Sequence, residues 1–65
     1  MNVNKLKGKI TERGLNVEKL ATLIGVERSR LYRHIKNNKL SIKEAGKIKD
    51  VLELTDTEAS DIFFN

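Results

Sequence analysis

Two apolar-periodic segments separated by only three residues, Gly25, Val26 and Glu27, restrict this chain most. In LATLIGVERSRLYRHI, residues 20–35, the first segment continues from Val17 with Leu20, Ala21, Leu23 and Ile24 on one helical face. The second places Leu31 and Ile35 four residues apart, one turn along a helix. A link this short forces two helices to cross steeply. The crossing point needs a small residue, which Ala21 supplies, and the turn needs a positive φ, which Gly25 adopts without steric cost. Val26 fills the angle between the helices, and Leu31 and Ile35 lay one side of the second helix on Leu20 and Ile24.

Three further helices are marked by their ends. One runs from about residue 3 to 13 along Val3, Leu6 and Ile10, weakened by Gly8 and closed by Gly14 with Leu15 behind it. Asn16 caps the helix that follows, with Glu18 in its first turn. The helix from about Arg28 to Lys36 ends in Asn37-Asn38-Lys39, and asparagine tolerates a left-handed turn. SIKE (Ser41 to Glu44) and TDTE (Thr55 to Glu58) each read as a reciprocal capping box. The first opens a helix to Leu52, and the second a short helix ending in Ile62, Phe63 and Phe64. With no proline and no β-branched runs, residues 1–65 read as one compact all-α domain of five helices.

A 65-residue chain buries only about 60% of its unfolded surface, so each apolar residue counts. There is no cysteine for a disulfide or thiolate metal site, and one histidine, His34, cannot build a metal centre alone. No carboxylate or serine stands at a catalytic spacing, so neither an enzyme nor a cofactor or small-molecule substrate is expected. The N-terminus lacks a signal-peptide core, and no apolar run approaches the roughly 18 residues of a membrane span. A cytoplasmic protein with no membrane partner is expected.

Charge is segregated. Residues 1–49 carry thirteen basic and four acidic groups, whereas residues 50–65 carry five acids and no base. ERSRLYRHIKNNK, residues 27–39, holds five basic residues against Glu27 alone. Such a chain presents one side to a polyanion and turns the other away.

Alanine, glycine four later and apolar residues at fixed offsets form the signature of a helix-turn-helix, here over about residues 17–36. LNVEKLATLIGVERSRLYRHIKNNKLSIKEAGKI resembles the Cro and repressor helix-turn-helix family of temperate phages and their bacterial relatives. The match covers residues 15–48, and the five-helix layout extends it over nearly the whole chain. The resemblance implies a lambda-repressor-like DNA-binding domain. Three positions depart from the family pattern: Glu27 stands where Ser or Thr usually caps the recognition helix, His34 where an apolar residue is usual, and Val17 where a long polar side chain is frequent.

At 100° per residue, Leu31 and Ile35 define the buried side of the third helix. Arg33 then points directly away from the core, with Ser29 one turn earlier, Lys36 and Tyr32 on one flank and Arg30 on the other. Arg28 leads the helix. Arginine's planar fork matches the O6 and N7 acceptors of guanine in a major groove that admits one helix. The resemblance assigns base contacts to Arg28, Ser29 and Arg33; Arg30 and Tyr32 reach either base edges or phosphate. Phosphate contacts are expected from the helix start at Asn16 and Val17, and from Lys36, Asn37, Asn38, Lys39 and Lys43. Lys5, Lys7 and Lys9 are open between phosphate contact and plain solvation.

Neighbouring residues on a helix diverge by 100°, so Phe63 and Phe64 cannot both face inward beside Ile62. Ile62 and one phenylalanine are expected in the core and the other phenylalanine exposed; within the set Ile62, Phe63 and Phe64 that exposed ring is the candidate for contact with a second subunit, and paired domains read half-sites one helical turn apart. A sequence-specific regulator that binds double-stranded operator DNA as a homodimer, most like a small phage or prophage Cro-type repressor, is the leading expectation. An antitoxin or mobile-element regulator of the same fold, or a helical module for an acidic protein partner, are the alternatives.

Overall fold

The computed structural model describes residues 1–64; Asn65, the last residue of the predicted domain, lies outside the described residues. Five α-helices and, among the described residues, no strands make up the chain: α1 Val3–Glu12, α2 Val17–Ile24, α3 Arg28–Lys36, α4 Ile42–Val51 and α5 Asp56–Phe63. Each agrees with its predicted range to within one or two residues. Asn2, Asn16, Ser41 and Thr55 all cap through their side chains, and both capping boxes are closed in each direction. Glu27, at the start of α3, makes no side-chain cap bond.

The ends of α1 to α4 share one closure. Gly14 (φ 72°), Gly25 (75°), Asn38 (59°) and Glu53 (52°) are left-handed, and the next N–H reaches back five residues. Leu15 donates to Ile10, Val26 to Ala21, Lys39 to His34 and Leu54 to Lys49, at 2.7–3.0 Å. Each closure turns the chain sharply; after three of the four, an apolar residue drops into or against the core.

That core joins all five helices through Leu6, Leu20, Leu31, Ile48, Leu52 and Ile62, the largest fully buried side chains. α2 packs on both α3 and α4, while α1 lies on α5. Polar ties cross the same seams. Asn2 N–H donates to Ile62 O at 2.6 Å, Arg13 Nε to Leu52 O at 2.8 Å, and Lys47 Nζ to Ile24 O at 3.3 Å. The last two satisfy carbonyls that helix ends leave open. Lys9 bridges Glu12 and Glu58, and Glu58 holds its carboxyl at about 2, chiefly through the Lys9 ammonium and then the Thr55 N–H.

Two expectations about inward-facing residues require correction. Leu23 was expected on the apolar face of α2 but is 58% exposed. The buried arc is Leu20, Ala21 and Ile24, and Leu23 lies about 100° from its centre at 100° per residue. Ile62 falls in the candidate set for a subunit contact but is buried in the core, as its i+3 spacing from Ala59 dictates; Phe63 is half-buried and Phe64 is 84% exposed.

Glu53 is the one left-handed closure made by neither glycine nor asparagine. Its Cβ costs roughly 1–2 kcal/mol in that conformation, partly offset by its smaller loss of chain freedom on folding compared with glycine. Glu53→Gly is expected to stabilise the fold by about 0.5–1 kcal/mol and raise the melting temperature by a few degrees, measured by circular dichroism; no increase would show that the closure is not strained.

Candidate nucleic-acid interface

α3 forms because its apolar residues occupy one stripe and its polar ones the remainder, and that stripe sets its rotation. Leu31 and Ile35 are buried, whereas Arg28, Ser29, Arg30, Tyr32, Arg33 and Lys36 are all exposed. Arg33 thus stands opposite the buried seam, where the sequence put it. Asn37, Asn38, Lys39 and Lys43 continue the exposed surface past the end of α3 into the start of α4. Ala21 is buried at the junction, Gly25 is left-handed, and Val26 is half-buried against the core, so α3 follows α2 across three residues as expected.

Within this surface the charges divide sharply. Among the described residues Arg30, Arg33, Lys36, Lys39 and Lys43 have no carboxylate within ion-pair distance. Arg28 differs: its Nη1 donates to Glu18 Oε2 at 3.1 Å, with both side chains more than half exposed. Ser29 Oγ donates to Glu27 Oε1. Sequence periodicity gave no sign of either tether, since ten residues and a turn separate Glu18 from Arg28.

The predicted phosphate group at the start of α2 consists of backbone N–H groups and the Asn16 side chain. Asn16 Oδ1 is occupied by the Lys19 N–H at 2.8 Å, and the Val17 side chain packs against the core. Only their backbone N–H groups and the Asn16 amide nitrogen remain to face a phosphate. Lys9, one of three lysines left open in α1, is held by Glu58 and Glu12, and those two hydrogen bonds raise its ammonium above the usual lysine range. That lysine belongs to the α1–α5 seam.

What aims α3 from behind is a carboxylate. Glu44 is the one charged side chain buried in the described chain, at 7% exposure. Its Oε1 accepts from Ser41 N–H at 3.0 Å, and His34 Nδ1 lies 3.0 Å from both oxygens. A carboxylate only accepts, so Nδ1 carries the proton. Burial pushes the Glu44 carboxyl up, but the Ser41 N–H, the His34 ring and the Ser41 hydroxyl outweigh it and hold it below its usual value. His34 stands on the buried flank of α3 because it has this partner.

Glu44→Ala is expected to cost about 2 kcal/mol at neutral pH, the loss of a cap and of a charge-assisted bond together. The pH dependence carries the sign. Because the folded carboxyl titrates below the unfolded value of 4.5, its contribution is complete above that value and fades as pH falls through the folded one. Glu44→Gln should therefore flatten the loss of stability below pH ~4.5, read from denaturant melts at several pH values; an unchanged slope would remove Glu44 from the acid response.

No protein-family model matches the chain, and no curated protein and no solved structure is similar to it at a significant level.

Proposed function

We propose that this chain is a sequence-specific double-stranded-DNA-binding regulator of the Cro and repressor type, in which α2 and α3 act as a helix-turn-helix and α3 enters the major groove. One observation carries the reading: the exposed face of α3, opposite Leu31 and Ile35, offers Arg33 and a run of cations that no carboxylate among the described residues neutralises. A surface meant only for solubility would interleave acids. Cations without internal partners are available to release counterions from phosphate, and an arginine at the apex of a rigid helix is available to guanine. The three-residue turn closed by Gly25, with Ala21 buried beneath it, supports the helix-turn-helix arrangement. An acidic protein partner would answer the charge but would not need an arginine apex.

The reading includes a second copy of the chain on DNA. Ile42, 93% exposed, and Phe64 stand beside an open groove of about 440 Å³ between α4 and α5, lined also by Met1, Leu40, Gly46 and Phe63. Gly46 is in mid-helix, where glycine costs about 1 kcal/mol against alanine, yet nothing lies within 4 Å of the position its Cβ would take. Projecting apolar side chains and an open groove on one face are self-complementary under two-fold symmetry. With two large side chains per copy, the contact falls short of the ~1,600 Å² of a standard interface, so pairing is weak in solution and completed by shared DNA.

Selection of duplexes from a random pool tests the function by reporting the half-site, its symmetry and its spacing together. On the selected duplex, Arg33→Ala is expected to lose about 1–3 kcal/mol of base discrimination. Lys39→Ala should instead weaken all duplexes alike and reduce the salt slope by about 1. Equal affinity for selected and random duplex at moderate salt would overturn the reading. Phe64→Ser and Gly46→Gln are both expected to leave the fold intact and abolish self-association in sedimentation equilibrium; dimers unaffected by either would place the contact elsewhere.

A further inference from the structure

The two residues at the leading end of α3 that would first meet a base are each held by a carboxylate. Arg28 donates to Glu18, and Ser29 donates to Glu27. A helix N-terminus is ordinarily a place to seat a phosphate, because its free N–H groups and its dipole both favour an anion. Here two exposed negative charges stand at that place. Neither is required by the fold. Glu27 occupies the cap position without accepting from a backbone N–H of the first turn, and an exposed pair such as Glu18–Arg28 contributes little to stability.

The two possible contacts of this corner are not affected equally. A phosphate approaching Arg28 must come beside the Glu18 carboxylate, and one approaching the α3 N-terminus must come beside Glu27. Both encounters are like-charge. A base edge carries no net charge. Arg28 has five N–H donors, so it keeps Glu18 on one while presenting others to guanine O6 and N7. Ser29 likewise donates to Glu27 while its lone pairs accept from a base amine.

Building on the proposed DNA-binding reading, we propose that Glu18 and Glu27 set its specificity, withholding Arg28 and Ser29 from phosphate and yielding them to a base edge. Both act as positioning residues at the corner where α2 meets α3, and the penalty they impose falls on non-specific binding.

The test compares the wild-type chain with Glu18→Gln, Glu27→Gln and the double variant. Each is measured by fluorescence anisotropy on the selected duplex and on a scrambled duplex of the same length and composition, across a salt series. Removing the carboxylates frees Arg28 for one more phosphate. The scrambled duplex should then bind about eightfold tighter at ~0.1 M salt, with the log–log salt slope steeper by about 0.9. The selected duplex gains less, so the ratio of the two affinities falls. Glu12→Gln removes an equal charge from α1, outside this corner, and is expected to leave that ratio and slope unchanged. Equal gains on both duplexes, no gain on the scrambled one, or the same gain from Glu12→Gln would overturn the inference. Both carboxylates are exposed, so thermal melts should stay within a few degrees of wild type. A wild-type chain that prefers no duplex would overturn the DNA-binding reading and this inference with it. A wild-type chain with a clear preference and variants that behave like it would overturn this inference alone.

Discussion

Everything this molecule offers outward depends on how one nine-residue helix is seated. α3 is too short to hold itself together in water, where isolated helices below about 12–15 residues are marginal, so its conformation and its rotation both come from packing. Leu31 and Ile35 supply the seat, and the adjoining turn, closed by Gly25 and filled by Val26, sets where the helix begins. His34 and Glu44 then add a polar restraint on the flank, so α3 cannot roll without breaking a buried, charge-assisted contact. Orientation of Arg33 is the product of these three constraints, none of which involves Arg33.

The acidic end of the chain has a second consequence. Residues 50–65 carry five acids, and two are spent on lysines of other helices: Glu58 on Lys9 of α1, and Asp56 on Lys49 of α4. Among the described residues Arg30, Arg33, Lys36, Lys39 and Lys43 receive no such partner, and Arg28 pairs with Glu18 of α2 instead. Segregation along the sequence therefore leaves the exposed cations of α3 and the start of α4 beyond the reach of the acidic end. A basic chain of the same net charge with its acids scattered would lose that contrast, because i to i+4 partners would pair along each helix.

Local rules made most of the architecture legible. Asn16, Ser41 and Thr55 each cap the helix they head, and Gly14, Gly25 and Asn38 each turn left-handed where a helix was expected to end. Such features are decided by residues within four positions of one another. The Leu31–Ile35 stripe likewise placed Arg33 and Ser29 outward, because period and phase suffice for a helix with two clear anchors. Leu23 was misplaced for the complementary reason: on α2 five apolar residues share too wide an arc, and only the position of α3 and α4 selects which part is buried. The closure at Glu53 escaped notice because glutamate carries no turn signal.

Contacts between helices were the illegible part, and they are what refine the candidate site. Nothing in the spacing of Glu18 and Arg28, or of His34 and Glu44, marks either as a pair; each depends on how α3 and α4 both pack against α2. Yet the two oddities in the sequence, Glu27 at a cap and His34 in an apolar slot, stand beside those pairs. A residue that breaks a local rule has to be answered by something non-local. For His34 the answer is the buried carboxylate of Glu44. Glu27 makes no cap bond to the backbone and accepts from the Ser29 hydroxyl; on the proposed DNA-binding reading, what answers it is the polyanion that approaches the leading end of α3.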